Sequence, residues 1–291
     1  MRLRYVFSIA LLCCGVIATP IIHAQEQKDG LRVSPLRSRP VQKPGDTTSG
    51  ELTISNHSGR TLEVSLDVER FKVVDEAYNY DFAPGEYTDW IRLADRSISL
   101  EDKATKKVAY SLAVPNNAPP GGYYFALFAS SKNGSGQTSF VEVQRIASLV
   151  YLEVSGLIER KATMLGVDVA WLQTKHDVPM GTRISNQGNS HSEARIKQTI
   201  RPLIGKSSDE LHTGLVLPST IRNIEKKIQL PWWPGIYRIS SEFSPPQGGT
   251  QRVEHTVVYF PLWLLVVPVA ILSYIAQRRL RHTYAKPTST R

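Results

Sequence analysis

Between residues 31 and 258 the readable period of hydrophobic and polar positions is two. It is cleanest where Leu62, Val64, Leu66 and Val68 alternate with Glu63, Ser65, Asp67 and Glu69, the signature of a strand with one buried and one wet face. The alternation recurs over Val108–Val114 and at Val167, Val169 and Trp171, while the run Ile146–Val154 predicts a more fully buried strand. Turn-forming clusters separate these runs: Pro44-Gly45, Asn56-His57-Ser58-Gly59, Pro84-Gly85, Pro119-Pro120-Gly121-Gly122, Asn186-Gln187-Gly188-Asn189 and Pro234-Gly235. Short strands with frequent turns predict an all-β chain of two immunoglobulin- or fibronectin-like β-sandwiches.

Two segments break the pattern. Met1–Ala24 begins with Arg2 and Arg4, runs apolar from Tyr5 to Thr19 and reaches Ala24 before Gln25, the order of a secretory signal peptide cut between those two residues. Lipidation of Cys14 is the alternative, although Cys13 stands where a lipobox carries a small residue. The second segment, Val257–Gln277, has an uncharged centre, Phe260–Ala276. It predicts a transmembrane helix over residues 259–277. Tyr259, Trp263 and Tyr274 lie towards its ends like interfacial anchors, Pro261 suits a helix start, Pro268 predicts a kink and Gln277 closes it. Arg278, Arg279 and Arg281 follow at once. By the positive-inside rule they place the tail, residues 278–291, in the cytoplasm and the rest outside the membrane.

A weak internal repeat divides the exported part. Ile54-Ser55-Asn56 recurs as Ile184-Ser185-Asn186, 130 positions on, and Pro120-Gly121-Gly122-Tyr123 is matched by Pro234-Gly235-Ile236-Tyr237, 114 positions on. The first copy therefore holds about 16 extra residues between its marks. These marks predict sandwiches at 31–155 and 157–258, with Gly156 near the joint.

Several motifs carry a family resemblance. Leu31–Ser34 before Pro35, Lys43-Pro44-Gly45-Asp46, Leu52–Gly59, and Val114-Pro115 followed by Ala118–Tyr124 resemble the first domain of the WxL-interacting surface proteins of bacteria. Ile184–Asn189 with His191, and Leu217-Pro218 with Arg222, resemble that family's second domain. The resemblance implies a membrane-anchored surface protein whose first domain is associated with peptidoglycan and whose second meets partner surfaces.

Catalytic chemistry finds little support in the motifs. The chain has no His-Glu-x-x-His and no Gly-x-Ser-x-Gly, both Cys fall in the leader, and His57, His176, His191, His212 and His255 lack ligand spacing. We expect neither an enzyme nor a cofactor or metal. Leu217-Pro218-Ser219-Thr220 imitates a sortase signal, but Ile221 replaces its Gly and about 40 residues of predicted sandwich precede the apolar segment. The extra stretch Phe71–Trp90 is the candidate ligand surface. Its Tyr78, Tyr80 and Trp90, among acidic residues, would stack on sugar rings; the alternative is a hairpin whose aromatics cover the end of the sandwich.

The net charge of +9 at first suggests a nucleic-acid footprint. Two of the excess charges lie in the leader and five in the tail, leaving 28 basic against 26 acidic residues in between, so no nucleic-acid partner is expected. The expectation is a non-catalytic surface protein binding wall polymer, a protein partner or both. The alternative is an assembly factor like a pilus chaperone, acting by β-strand addition.

Overall fold

The computed structural model describes residues 30–133 and 142–284; Cys14 and the expected Ala24–Gln25 cleavage point lie outside them. The first half of the chain forms β1 (Leu31–Ser34), β2 (Arg37–Ser38), β3 (Val41–Gln42), β4 (Thr47–Asn56), β5 (Leu62–Val73), β6 (Tyr80–Ala83), β7 (Ile91–Leu93), β8 (Ser97–Leu100), β9 (Thr105–Ala113), β10 (Gly121–Asn133) and β11 (Glu142–Val154). The second forms β12 (Ala162–Asp168), β13 (Leu172–Gln173), β14 (Asp177–Asn186), β15 (Ser192–Pro202), β16 (Ser208–Val216), β17 (Thr220–Gln229), β18 (Gly235–Phe243) and β19 (Gln251–Tyr259), followed by α1 (Val266–Tyr284).

These strands make two sandwiches. In the first, a sheet ordered β1-β4-β9-β7 packs on one ordered β2-β11-β10-β5-β6, with β3 also on β11 and β8 also on β5. In the second, β12-β14-β17 packs on β13-β19-β18-β15-β16. The alternation read from β5 is the alternation of its burial, Leu62, Val64 and Leu66 turned inward and Glu63 and Ser65 outward. Leu52, Ile54, Val64, Val108, Leu127 and Leu152 centre the first core, and Ile184, Ile196, Ile228, Ile239, Phe243 and Val257 the second. Each such side chain contributes about 1.5–3 kcal/mol of burial.

In both sandwiches the first strand is divided between the two sheets. β1 runs antiparallel to β4, and the chain then crosses the seam so that β2 and β3 run parallel to β11. Likewise β12 pairs with β14, and β13 lies parallel to the end of β19. A glutamine bridges each seam: Gln144 Oε1 accepts from Leu31 N–H at 3.4 Å and Gln251 Oε1 from Met164 N–H at 2.6 Å.

The repeat marks are corner locks. Buried Asn186 donates through Nδ2 to the carbonyls of Ser190 (2.9 Å) and Val216 (2.8 Å) and accepts through Oδ1 from Gly188 N–H (2.9 Å). Asn56 does the same with Arg60 (2.6 Å), Leu100 (2.9 Å) and Ser58 N–H (2.9 Å). The second mark is a tyrosine corner in each copy: Tyr123 Oη donates to Pro119 O at 2.9 Å and Tyr237 Oη to Trp233 O at 2.5 Å, four residues upstream in both. This hydrogen bond back to the upstream backbone is characteristic of immunoglobulin-like sandwiches.

The C-terminal segment departs from expectation. Val257 and Tyr259 are buried core residues of β19, paired with Tyr237 and Gly235, so their apolarity serves the sandwich. Phe260 N–H still bonds Gln173 O, and Pro261 caps a 3-10 turn over Leu262–Leu265. Pro268 sits in the first turn of α1, where its missing N–H leaves no helical bond unmade, so it marks the change of helix type and not a mid-helix kink. Trp263, Tyr274 and Gln277 are exposed, and Arg278, Arg279 and Arg281 fall inside α1. Fifteen apolar or uncharged residues, 262–276, would rise about 22 Å as an α-helix, against roughly 30 Å of bilayer core. Among the described residues no helix is long and apolar enough to cross a membrane.

Replacing Asn186 by Ala leaves two buried carbonyls and an amide without their partner. Urea unfolding is expected to show a loss of about 3 kcal/mol; a loss below about 0.5 kcal/mol would mean that the corner is held by its backbone alone.

Candidate functional site

The residues by which the first sandwich exceeds the second are where the aromatic candidates lie. Thirty-one residues separate β5 from β9, against 17 between β15 and β17. They open with a hairpin between β5 and β6. Val74 N–H bonds Asn79 O at 3.0 Å, and the Asp75 carboxylate accepts from Asn79 N–H (3.0 Å) and Nδ2 (2.7 Å). Those bonds hold the Asp75 carboxyl below its ordinary pKa.

The hairpin tip reaches into the second sandwich. Tyr78, 7% exposed, takes a left-handed backbone (φ 68°) and places its Oη to accept from Leu217 N–H at 2.6 Å, 3.0 Å from Thr220 Oγ1. Arg222 lies over the Tyr78 ring, 4.2 Å from its centroid, an attractive cation–π geometry. The Glu76 carboxylate grips Arg183 through two bonds of 2.6 and 2.8 Å, and Glu76 O accepts from Asn223 N–H at 2.9 Å. Burial raises the Tyr78 phenol above its ordinary pKa, and the Arg183 bond lowers Glu76. The imitation sortase signal is part of this contact: Leu217 is buried and Ser219 turns the chain in left-handed conformation (φ 58°).

A sugar-stacking surface would need free ring faces. Trp90 is buried beneath Tyr87 and Tyr123, with centroids 5.1 and 4.6 Å away. Tyr80 is half-buried, packed edge-on to Phe71 at 5.0 Å with its Oη 3.4 Å from that of Tyr151. Tyr78, Tyr80 and Trp90 therefore do not form one exposed platform: the first is a clasp between sandwiches and the others pack over the first. The register that brings Tyr78 to residues 217–222 depends on pairing far along the chain, and no local signal predicts it.

A second contact completes the joint. Buried Glu153 at the end of β11 accepts two bonds from Arg160 (2.7 and 2.9 Å) and one from Ser190 Oγ (2.6 Å). Gly122 N–H donates to Asn189 O at 2.9 Å, an approach that Gly121 (φ 152°) makes possible, because a Cβ there would stand 3.0 Å from the same oxygen. The Pro-Pro-Gly-Gly motif thus supplies a joint. His191 lies 6.1 Å, centroid to centroid, from both Tyr124 and Tyr151. Burial lowers its pKa and raises those of the two phenols. Among the described residues no three His, Cys, Asp or Glu side chains gather as a metal site.

The remaining feature is an open sheet edge. β10 pairs with β11 along its whole length, but on the other side bonding begins only at Leu149 N–H, which donates to Leu36 O at 2.9 Å. Glu153 and Ser155 N–H follow, bonded to Pro40 O and Gln42 O. Continuing that alternation back along β11 turns the N–H groups of Arg145 and Ala147 outward. No strand pairs with them among the described residues, because β1 lies on β4 and the chain reaches β11 only at β2. Half-buried Ile146 packs on the first core, and on the other face the Arg145 guanidinium lies 3.3 Å from the Phe128 ring centroid and bonds Asp67 and Glu69 at 3.2 and 2.6 Å.

No family model and no curated protein matches the sequence. Among solved structures, the chain is similar to the class 5 fimbriae chaperone CfaA (10% identity, 79% of this chain and 99% of that one, TM-score 0.41). It is also similar to the CupB2 chaperone of Pseudomonas aeruginosa (12%, 77% and 99%, TM-score 0.36) and to a protein of unknown function from Porphyromonas gingivalis W83 (18%, 78% and 99%, TM-score 0.31).

Two outcomes test the joint. Tyr78→Ala is expected to split one cooperative thermal transition into two, since the clasp couples the sandwiches; a single transition at an unchanged temperature would refute that. His191 is held neutral by burial, so its folded pKa lies below the unfolded value near 6.5. The stability it contributes is complete above pH 6.5 and is lost as pH falls through the folded value. His212 shifts the same way, so the check is a difference: His191→Gln should flatten part of the wild-type decline in melting temperature below pH 6.5.

Proposed function

We propose that the chain is a non-catalytic, exported binding protein, tethered to a lipid bilayer through its exposed apolar stretch at 262–276, that holds an extended segment of a partner polypeptide as an added strand on β11. The observation that carries this reading is the half-edge ahead of Leu149, unpaired among the described residues, with the N–H groups of Arg145 and Ala147 aimed outward. An extended chain laid there would continue the sheet, as in β-augmentation. Its alternate side chains would fall on the seam beside Ile146 and on the opposite face beside Arg145 and Phe128.

The edges of β17 and β7 suit an added strand less well. The equivalent free half of β19 carries Arg252, bonded to Glu254 at 2.7 Å and 3.4 Å from Glu242, much as β11 carries Arg145, so charge does not separate these two edges. The edge of β17 presents Lys226 and Lys227 and is met by Glu76 O at Asn223 and by Glu210 Oε1 at Gln229 N–H. Charges and caps of this kind discourage strand addition. β7 has three residues, too few to template a partner. With the rings of Tyr78 and Trp90 turned inward, a polypeptide suits the available surface better than a wall glycan.

Proline separates the two sides of β11. Ala147→Pro removes an outward N–H and is expected to keep the melting temperature within about 3 °C, because an edge strand tolerates Pro there. A photo-reactive residue in place of Arg145 should form a cross-link in cells to one segment of a partner, and Ala147→Pro should abolish it. Ile146→Pro, which breaks a bond to β10, should instead lower stability. Cross-linking indifferent to Ala147→Pro would refute strand addition.

A further inference from the structure

The end of the second sandwich from which the chain leaves β19 carries an apolar surface that none of the described residues covers. Trp232 and Trp233, held between Pro231 and Pro234, are 74% and 76% exposed, so neither ring fills the core. Trp171 is 68% exposed and Leu203 and Ile204 project from the turn after β15. Backbone bonds bring these segments to one end. Trp171 O accepts from Val258 N–H at 2.6 Å, Leu203 N–H donates to Ile236 O at 3.1 Å, and Gly235 pairs with Tyr259. The Trp232 ring stacks on His176 at 5.6 Å.

A polar feature lies beside them. Arg201 of β15 and Arg238 of β18 are directly opposite each other, both exposed, and line a recess of about 270 Å³ with Leu203, Ile236 and Thr256. Like charges at directly opposed positions destabilise a sheet unless an anion lies between them. Asp209, near enough to act on Arg201, is bonded to Lys197 at 2.9 Å and Thr199 at 2.7 Å.

We infer that this end is a membrane-contact face, its three tryptophans and Leu203 and Ile204 entering the headgroup boundary while Arg201 and Arg238 take a lipid phosphate. The occupant follows from continuity: the same end passes within three residues of Tyr259 into exposed Leu262, Trp263 and Leu265 and then α1. Indole rings suit that boundary because one edge is apolar and the N–H finds polar partners. The inference rests on the tether proposed above, and its test separates the two.

The full chain is reconstituted in vesicles of phosphatidylethanolamine and phosphatidylglycerol (about 3:1) whose acyl chains carry bromine near the headgroup, a quencher reaching only the boundary. Wild type is compared with a Trp171→Phe/Trp232→Phe/Trp233→Phe variant, whose exposed substitutions spare the fold. The emission lost to bromine is expected to fall about threefold or more, since Trp263 and buried Trp90 alone remain. Arg201→Glu/Arg238→Glu should weaken quenching about twofold with all five tryptophans present. An unchanged loss in the triple variant would mean that Trp263 alone is immersed, overturning the contact face and leaving the tether. No quenching in either protein would overturn both. Self-association in detergent that buries these tryptophans without quenching in vesicles would assign the face to a second copy and likewise overturn the proposal.

Discussion

A strand has two hydrogen-bonding edges but can lie in only one sheet at a time, and both sandwiches are organised around that constraint. Their first strand serves one sheet and then crosses to the other. The crossing closes one end of each seam and, among the described residues, leaves the opposite half of the last strand without a neighbour. Gln144 and Gln251 bridge the seam where the backbone cannot, because a buried N–H left unpaired there would cost about 1–3 kcal/mol. The open half of β11 follows from the topology, as does its counterpart on β19.

The two sandwiches hold together through a different kind of contact. Their joint is polar at its edges, with the Glu76–Arg183 and Glu153–Arg160 pairs, and aromatic at its centre, where Tyr78 enters the second core cluster. The exposed Glu76–Arg183 pair contributes little by itself. The greater cost of separation lies in uncovering Tyr78 and leaving Leu217 N–H without its acceptor.

What could be read from the chain in advance was what local pattern encodes. The period of β5 and the turn residues of the Ile-Ser-Asn and Pro-Gly-x-Tyr marks are local features, and they pointed to an all-β chain with repeated corners. The grip of Asn56 on Leu100 O and of Asn186 on Val216 O was hidden, since those partners lie 44 and 30 residues on. Val257–Tyr259 misled for a physical reason: a core strand and the start of an apolar helix draw on the same residues, and pairing with β18 decides between them. The role of Tyr78 was illegible because an aromatic in a hairpin looks the same whether it meets solvent, sugar or another sandwich. The open edge was equally hidden, being defined by a strand that goes elsewhere.

The clasp also sets an order of events. Tyr78 finds the N–H that donates to it 139 residues further along the chain, so the first sandwich can close long before its hairpin has anywhere to dock. At about 5–20 residues added per second, the tip waits on the order of ten seconds during synthesis. For that interval the nascent protein displays an aromatic tip that the finished one conceals, and docking of the second sandwich is the step that withdraws it.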